Sequence, residues 1–320
     1  MAPGVTVTPA EPDEQTAALR LAFGHLDPET RLARVAGGLE LIDAGEMDPA
    51  GILVARAGGR MVGAMVAAPV PGAGAAVWPP QVEPGVSPEV ADELVRHAAD
   101  WLRGKGVKLG QALLAPEDAA GAEPLIRGGF RRATALWYLR HDLELPANLF
   151  REPERLTYAD YETAGPEAFA AVLARTYEGT QDCPEISDAR TAAEALAGHR
   201  SGGFDPRRWW LAHSYEPAAP ATALAGASGS SDLAPVGLLL LNPAPDGDGW
   251  EIAYVGVVPE QRRRGYGGEL VLKALLEAKA AGQSAVTLAV DARNRPAREL
   301  YRRLGFEPRE CRDVLLAVWR

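Results

Sequence analysis

The chain has 320 residues, of which 47% are hydrophobic and 24% charged, and its formal net charge is −10 at pH 7. This length suffices for two domains, the acidic balance argues against a nucleic-acid-binding protein, and no apolar run approaches the ~20 residues that cross a membrane. Two cysteines cannot form a disulfide framework, and the N-terminus lacks the basic and apolar regions of a secretory signal. We therefore expect a soluble, cytoplasmic protein.

The first half of the chain alternates helical and strand patterns. Apolar spacing predicts a helical region over 14–45, and Ser87-Pro88-Glu89 predicts a helix start because a capping residue precedes a proline at the first helical position. The other elements follow from period-2 or short apolar runs: strands at 52–55, 61–68, 107–114 and 133–143, the helix over 87–104 and a short helix at 122–127.

The pattern breaks around 144–155, where we place the boundary between domains 1–148 and 149–320. The second half is predicted to have helices at 166–176 and 188–199 and strands at 209–215 and 236–241. The stretch 216–235 is rich in Ala, Ser, Gly and Pro, which predicts a flexible hairpin excursion.

A glycine loop in the second half has the features of an anion site. An apolar strand, Ile252 to Val258, leads into the basic segment 262–268, which reads RRRGYGG and opens a helix of about fifteen residues. Free N–H groups and the helix dipole converge at such a junction, and glycines let a ligand approach the backbone. The loop alone is equally compatible with any phosphate cradle or with a plain turn.

The two halves of the chain align at a constant offset of 176 residues. Gly305-Phe306 falls on Gly129-Phe130, which indicates an internal duplication. The first half lacks the polar groups of the second: Gly265 falls on Glu89, and Glu251, Asn294 and Tyr301 fall on Ala75, Asp118 and Leu125. We therefore expect the first domain to be a degenerate, non-catalytic copy.

The second half resembles the GNAT N-acetyltransferase superfamily. Arg262-x-x-Gly265-x-Gly267 matches the family's Arg/Gln-x-x-Gly-x-Gly/Ala signature, and the segment 294–306 (NRPARELYRRLGF) matches its Asn…Ala…Leu-Tyr…Leu-Gly-Phe segment. The tandem arrangement resembles double-GNAT proteins of the mycothiol synthase type. The resemblance implies an α/β (α+β) fold of two tandem GNAT-like domains, each with a mixed, mostly antiparallel sheet flanked by helices.

The resemblance also implies roles for individual residues. Acetyl-CoA would be the cosubstrate, its pyrophosphate held by the loop and its pantetheine and acetyl carbonyl by main-chain groups of Val257 and Val258. Glu251 would be the general base, with a solvent-facing strand residue as the alternative, and Tyr301 the general acid, with a packing aromatic as the alternative. Asn294 would contact pantetheine or cap a helix. The cofactor-binding set is thus Val257, Val258, Arg262, Arg263, Arg264, Gly265, Tyr266, Gly267, Gly268 and Asn294, although Arg263 is equally compatible with facing solvent.

The sequence leads to two functional hypotheses. The first is an acetyl-CoA-dependent N-acetyltransferase that transfers acetyl to a primary amine by direct attack in a ternary complex; the alternative is a non-catalytic acyl-CoA-binding sensor or assembly module. We expect a small-molecule or peptide amine as partner, no nucleic acid, no membrane, and a monomer or homodimer. The five histidines show no metal spacing, so we predict no metal. Tyr177, Glu178 and Asp182 precede the second helix, where they could contact the acceptor or form a solvated loop.

Overall fold

The structure is a computed structural model that describes residues 4–144, 155–201, 203–214, 235–245 and 247–319. These residues form two compact units, the first comprising Met1–Ala135, Asp188–Arg190 and Arg312–Arg320, and the second Leu136–Ser187 and Thr191–Cys311. Most of the predicted break at 144–155 and of the predicted excursion at 216–235 lies outside the described residues. No helix in the described part of the chain has the length and hydrophobicity needed to cross a bilayer.

The first unit is a mixed sheet with helices on both faces. Its elements are β1 (Val5–Pro9), α1 (Gln15–Ala22), α2 (Pro28–Asp43), β2 (Ile52–Ala57), β3 (Arg60–Val70), β4 (Gly74–Val77), β5 (Gln81–Val82), α3 (Glu89–Gly104), β6 (Leu109–Leu114), α4 (Ala122–Arg127) and the start of β7 (Arg131–His141). The strand order is β1-β2-β3-β4-β6, with β5 beside β3, and β4–β6 is a parallel pair in an otherwise antiparallel sheet.

The second unit repeats this plan. Its elements are β8 (Leu156–Asp160), α5 (Tyr161–Tyr177), α6 (Ala192–His199), β9 (Trp209–Ser214), β10 (Pro235–Pro243), β11 (Trp250–Val257), α7 (Tyr266–Ala280), β12 (Val286–Asp291), α8 (Arg295–Arg303) and the start of β13 (Glu307–Val318). The order β8-β9-β10-β11-β12 is antiparallel except for the parallel pair β11–β12. The predicted fold class, two tandem domains with mixed and mostly antiparallel sheets, is confirmed.

Each unit takes its last strand from the other half of the sequence. In the first unit the end of β13 pairs antiparallel with β6, from Asp313 opposite Leu114 to Val318 opposite Leu109. In the second unit the end of β7 pairs antiparallel with β12, from Leu136 opposite Asp291 to His141 opposite Val286. The compact units therefore differ from the sequence halves 1–148 and 149–320 in these strands. The division into a degenerate and a cofactor-binding domain stays a prediction.

Local sequence signals explain where the helices begin. Asp27 caps α2 by accepting hydrogen bonds from the amides of Glu29 and Thr30 at 3.0 and 3.1 Å, and Pro28 occupies the first turn. The helical region predicted over 14–45 is therefore two helices, because this cap starts a new one. The helix predicted over 188–199 begins only at Ala192, where Thr191 and Glu194 form a capping box.

Buried apolar residues fill both faces of each sheet. In the second unit, α7 packs its buried Leu270, Ala274 and Leu275 against one face, in a cluster that also contains Val286 and Leu288 of β12. The opposite face carries α5 and α6, whose core includes Phe169. This arrangement leaves the ends of β11 and β12 uncovered between α7, α8 and the end of α5, which is where the candidate site lies.

Candidate active site

The site is a cleft where two parallel strands of the second unit separate. β11 and β12 pair only at Trp250 opposite Val286 and Glu251 opposite Thr287. Beyond these pairs the edge of β11 is not bonded to β12, and a cleft of about 660 Å³ opens there. Glycine at position 256 allows α5 to lie close, because a Cβ there would come within 2.8 Å of Thr176.

The strand register decides which main-chain groups face the cleft. The amide of Val258 donates to the carbonyl of Val236 at 2.9 Å, so the residue before it points its N–H to the opposite edge. Val255 and Val257 therefore present their amides on the side where β12 has separated. The main chain of Val258 is engaged within the protein, since its carbonyl also accepts from Gln261 at 3.0 Å. Of the predicted pair, only Val257 has its amide on the side of the cleft, and Val255 shares this orientation.

The glycine loop begins α7 and lines the cleft with residues 265–268. Gly265 precedes the helix with φ 91°, a conformation that favours glycine, and its carbonyl accepts from Gly268 at 2.9 Å. A side chain added at Gly267 or Gly268 would contact Leu300, at 3.6 and 3.4 Å, and Leu300 lines the cleft together with both glycines. The free amides of the first turn and the positive end of the helix dipole fit a pyrophosphate.

The three arginines of the loop have different surroundings. The Arg262 guanidinium donates to three carbonyls, those of Val257 at 3.1 Å, Thr176 at 3.0 Å and Gly179 at 3.3 Å. Arg263 is exposed, has φ 63° and lines the cleft. The carbonyl of Arg264 accepts from Arg155 at 3.1 Å. Among these side chains, Arg263 is best placed to meet a phosphate.

The side chains of Tyr266 and Arg155 stabilise the start of α7 through contacts within the protein. Tyr266 is buried, and its hydroxyl hydrogen-bonds Ser214 at 2.9 Å, so its side chain anchors the helix and only its main chain reaches the cleft. Arg155 pairs with Glu269 and lies over the Tyr266 ring at 4.9 Å. Arg155 could not be predicted from the sequence, because it contacts the loop from a segment more than 100 residues away in the chain.

Tyr301 and Asn294 reach the cleft from α8. Asn294 caps the helix by accepting from the amide of Ala297 at 3.2 Å, which is the capping alternative, and it also lines the cleft. Tyr301 is only 7% exposed, its ring contacts Phe306, and it lines the same cleft. Burial raises the pKa of Tyr301 above its usual value, and the nearby negative charge of Asp182 raises this pKa further. The hydroxyl is therefore held protonated, as a proton donor requires.

Glu251 occupies the apex of the separating strands. It is half-buried and forms the last parallel pair with Thr287. Its antiparallel partner Asn242 bonds Trp209 at 2.8 Å and the carbonyl of His199 at 2.8 Å, which places Glu251 on the face that α5 and α6 cover. Glu251 is not among the residues that line the cleft, whereas Tyr254 to Val257, farther along the same strand, line it directly.

Tyr254 was not anticipated from the sequence, although it lines the cleft. Its hydroxyl hydrogen-bonds Thr176 at 2.8 Å, and its ring packs against Tyr177 and His199. Burial raises its pKa well above the usual value. An aromatic residue three positions after Glu251 in an apolar strand is an ordinary core pattern, and only the local register shift between Leu240 and Leu241 reveals which side it faces.

Asp182, Cys183 and Asp291 bring possible ligand atoms within 4.8 Å of one another. Arg293 already pairs with Asp291 at 2.7 Å, and the Asp291 carboxylate also accepts from the amide of Cys183 at 3.0 Å. Burial, together with the surrounding carboxylates, raises the pKa of the Cys183 thiol to about 12. The thiol therefore keeps its proton, so a thiolate nucleophile is not favoured here.

Replacing Arg262 with glutamine should loosen the segment 178–187. The three carbonyls that the guanidinium serves would lose their donor, and each hydrogen bond to a charged group contributes about 1.5–3 kcal/mol. We expect amide hydrogen exchange across 178–187 to accelerate by at least about tenfold. Arg263→Gln is the matched control, since Arg263 is exposed. Unchanged exchange in Arg262→Gln would show that these bonds do not order the segment.

Comparisons with known proteins agree with this geometry. Residues 184–306 match the family model described as Acetyltransferase (GNAT) family. The mycothiol acetyltransferase of Thermobispora bispora is 31% identical over 237 residues, covering 70% of this chain and 74% of the relative. That of Thermobifida fusca is 30% identical over 268 residues, covering 71% and 73%.

Solved structures show the same fold over nearly the whole chain. A GCN5-related N-acetyltransferase from Sphaerobacter thermophilus superposes with a TM-score of 0.62 at 20% identity, covering 99% of this chain and 96% of that one. A tandem GNAT protein from the clavulanic acid biosynthesis pathway gives 0.51 at 19% identity, covering 98% of each chain. The identity and coverage of the curated acetyltransferases disfavour the binding-module alternative. The chain therefore belongs to the GNAT acetyltransferase family, and it is an N-acetyltransferase with the tandem architecture.

Proposed function

We propose that the protein transfers an acetyl group from acetyl-CoA to the primary amine of a small-molecule acceptor, by direct attack in a ternary complex. The observation that carries the proposal is the meeting, in one cleft, of a separated strand pair, a glycine-started helix and a buried tyrosine. Acetyl-CoA supplies an activated thioester. The relatives named mycothiol acetyltransferase favour an acceptor of the mycothiol class, namely the amine precursor whose acetylation gives mycothiol.

Different groups of the cleft bind different parts of acetyl-CoA. First-turn amides of α7 and the Arg263 side chain hold the pyrophosphate. The unpaired edge of β11 holds the pantetheine arm as an added strand would, through Val257, and the amide of Val255 donates to the acetyl carbonyl. A donor fixed at this carbonyl stabilises the negative charge that develops when the amine attacks.

Two residues of the second unit would move the protons. Glu251 accepts a proton from the attacking amine through water, so that the nitrogen can form its bond to the acetyl carbon. Tyr301 donates a proton to the departing sulfur as the carbon–sulfur bond breaks. The place of Tyr301 in the lining of the same cleft supports this role, and its raised pKa means that the hydroxyl is protonated before the reaction.

Only the second unit is proposed to bind acetyl-CoA. In the first unit α3 begins at Glu89 and has Glu89 and Asp92 in its first turn, where the second unit has glycines. Carboxylates at this position repel phosphate. Leu125, at the position of Tyr301, is fully buried and offers no proton. These features support a structural role for the first unit.

Replacing Glu251 with glutamine should lower kcat by about 100-fold, since removing a positioned general base usually costs a factor of 10² to 10⁴. The measurement is thiol release with a panel of amines that includes the mycothiol precursor. Calorimetry should find acetyl-CoA affinity unchanged, because Glu251 lies at the apex and not on the pyrophosphate side. A panel without any turnover by the wild-type protein would overturn the proposed function, and full activity of Glu251→Gln would overturn the assignment of the base.

A further inference from the structure

The segment 178–187, which links α5 to the helical turn before α6, forms one wall of the cleft. Gly179, Thr180, Gln181 and Asp182 line the cleft together with Tyr254 and Tyr301. The acidic Glu178 of the same segment is exposed and is not among the residues that line it. Of the two acidic residues that the sequence offered as candidates, Asp182 lines the cleft and Glu178 does not.

Hydrogen bonds hold the segment 178–187 in place near its start and again at Asp182 and Cys183. At its start, Arg262 donates to the carbonyls of Thr176 and Gly179. Farther along, Asp182 Oδ1 accepts a hydrogen bond from the amide of Asp291 at 2.8 Å. In return, Asp291 Oδ2 accepts from the amide of Cys183, the residue after Asp182, at 3.0 Å. The position of Asp182 is therefore set by the end of β12, the strand that forms the other side of the cleft.

Arg293 also contacts this segment, and it is not among the residues that line the cleft. It donates two hydrogen bonds to Glu185, at 2.6 and 2.9 Å, and pairs with Asp291 at 2.7 Å. Its direct contacts are thus with Glu185 and Asp291, although its charge also acts to lower the pKa of Asp182. Asp182 receives one main-chain hydrogen bond through Oδ1 and faces the cleft.

The surroundings of Asp182 favour a cationic partner. The residue is exposed along the cleft, yet the protein around its carboxyl displaces water, and this raises the pKa of Asp182, as does the neighbouring Asp291. A partly desolvated carboxylate is stabilised by a cation or a hydrogen-bond donor. Alkyl amines are mainly ammonium ions at neutral pH, so the acceptor itself brings such a cation.

We propose that Asp182 is the acceptor-binding carboxylate, which holds the reacting amine as an ammonium ion beside Tyr254 and Tyr301 before Glu251 takes its proton. This inference rests on the proposed function and specifies its substrate class: cationic amines of small molecules, selected by charge. The interaction is made in the ground state. Its loss should therefore raise the KM of the acceptor much more than it lowers kcat.

The first experiment compares Asp182→Asn with the wild-type enzyme, using the amine that the panel turns over fastest. We expect the KM of that amine to rise by at least about tenfold, with kcat changed less than about threefold and the Kd of acetyl-CoA unchanged. Glu178→Gln, four residues earlier in the same segment, should leave all three values as they are. An unchanged KM in Asp182→Asn would overturn the proposal, as would an equal rise in both variants.

The second experiment needs neither turnover nor a variant that folds. Calorimetry on the wild-type protein saturated with coenzyme A compares choline with 3,3-dimethylbutan-1-ol, which has the same shape without the charge and, like choline, carries no transferable amine hydrogen. We expect choline to bind at least about tenfold more tightly, and added salt to reduce the difference. Equal affinities would overturn the role of Asp182, whereas absence of turnover with every amine would count against the proposed function alone.

Discussion

Tyr301→Phe is expected to lower kcat by about 100-fold or more while leaving the affinity for acetyl-CoA unchanged. The substitution removes only the hydroxyl of a side chain that is 7% exposed, and the ring can keep its contact with Phe306. Without the hydroxyl, the sulfur must leave as a thiolate in a cleft that lacks this proton donor. Stopped-flow measurement of thiol release, with calorimetry of acetyl-CoA binding, gives both quantities.

The matched control for this prediction is Tyr161→Phe. Tyr161 is a buried tyrosine at the start of α5 in the same unit, and its hydroxyl oxygen has no hydrogen-bond partner among the described residues. Its replacement should leave kcat unchanged. The role of Tyr301 is refuted if its variant keeps wild-type kcat, or if the acetyl-CoA affinity falls by as much as the rate, since either result describes a packing aromatic.

Removing residues 312–320 is expected to abolish cooperative folding of the first unit. The deleted segment pairs with β6 and contributes Val314, Leu315, Leu316 and Ala317, all of which are at most 6% exposed. Burying each large apolar side chain contributes about 1.5–3 kcal/mol, so the loss, with that of a strand ladder, is comparable to the whole 5–15 kcal/mol of a typical domain. Urea unfolding followed by circular dichroism tests this.

A point substitution makes the same prediction quantitative. Leu315→Ala removes a fully buried side chain of the first unit's core and should cost about 2–5 kcal/mol of unfolding free energy. Val318→Ala is the control, because Val318 is 42% exposed and lies at the end of the same strand. If the truncated chain kept a cooperative transition at the wild-type midpoint, the pairing of β13 with β6 would not be a stabilising part of the unit.

The parts of the site that the sequence could predict are those that local signals determine. The glycine with φ 91° at the start of α7 and the asparagine cap of α8 are encoded within a few residues of themselves. For the same reason the strand–loop–helix order could be read from spacing, whereas the fold class followed from the resemblance to the GNAT superfamily. These features depend on backbone conformation, which neighbouring residues largely decide.

Other features depend on register and on distant partners. The register of β11 against β10 decides whether the amide of Val257 or that of Val258 faces the cleft. The apolar pattern of β11 does not determine this register. The guanidinium of Arg262 bonds carbonyls of residues 176 and 179, far from it in the chain. A basic residue in a phosphate loop is more simply taken as a phosphate ligand, and nothing local indicates otherwise.

The strand exchange was also beyond prediction from the sequence, and the reason is physical. β7 and β13 follow equivalent Gly-Phe turns, and both begin with charged residues and are more apolar farther along, so composition does not assign either strand to one of the parallel pairs. The choice between β6 and β12 as partner is made by the chain's path, which hydrophobic patterning does not encode.

This exchange bears on the history of the gene. If only the second unit binds acetyl-CoA, as proposed, the first half could be expected to be dispensable, since a catalytic domain alone would still work. Here a shortened gene that encoded only the second half would leave β12 without the edge partner it takes from β7, and would leave the apolar end of β13 without β6. Even with the proposed lack of a cofactor site, the first half of the chain supplies β7 to the sheet of the second unit, and its deletion would remove that strand.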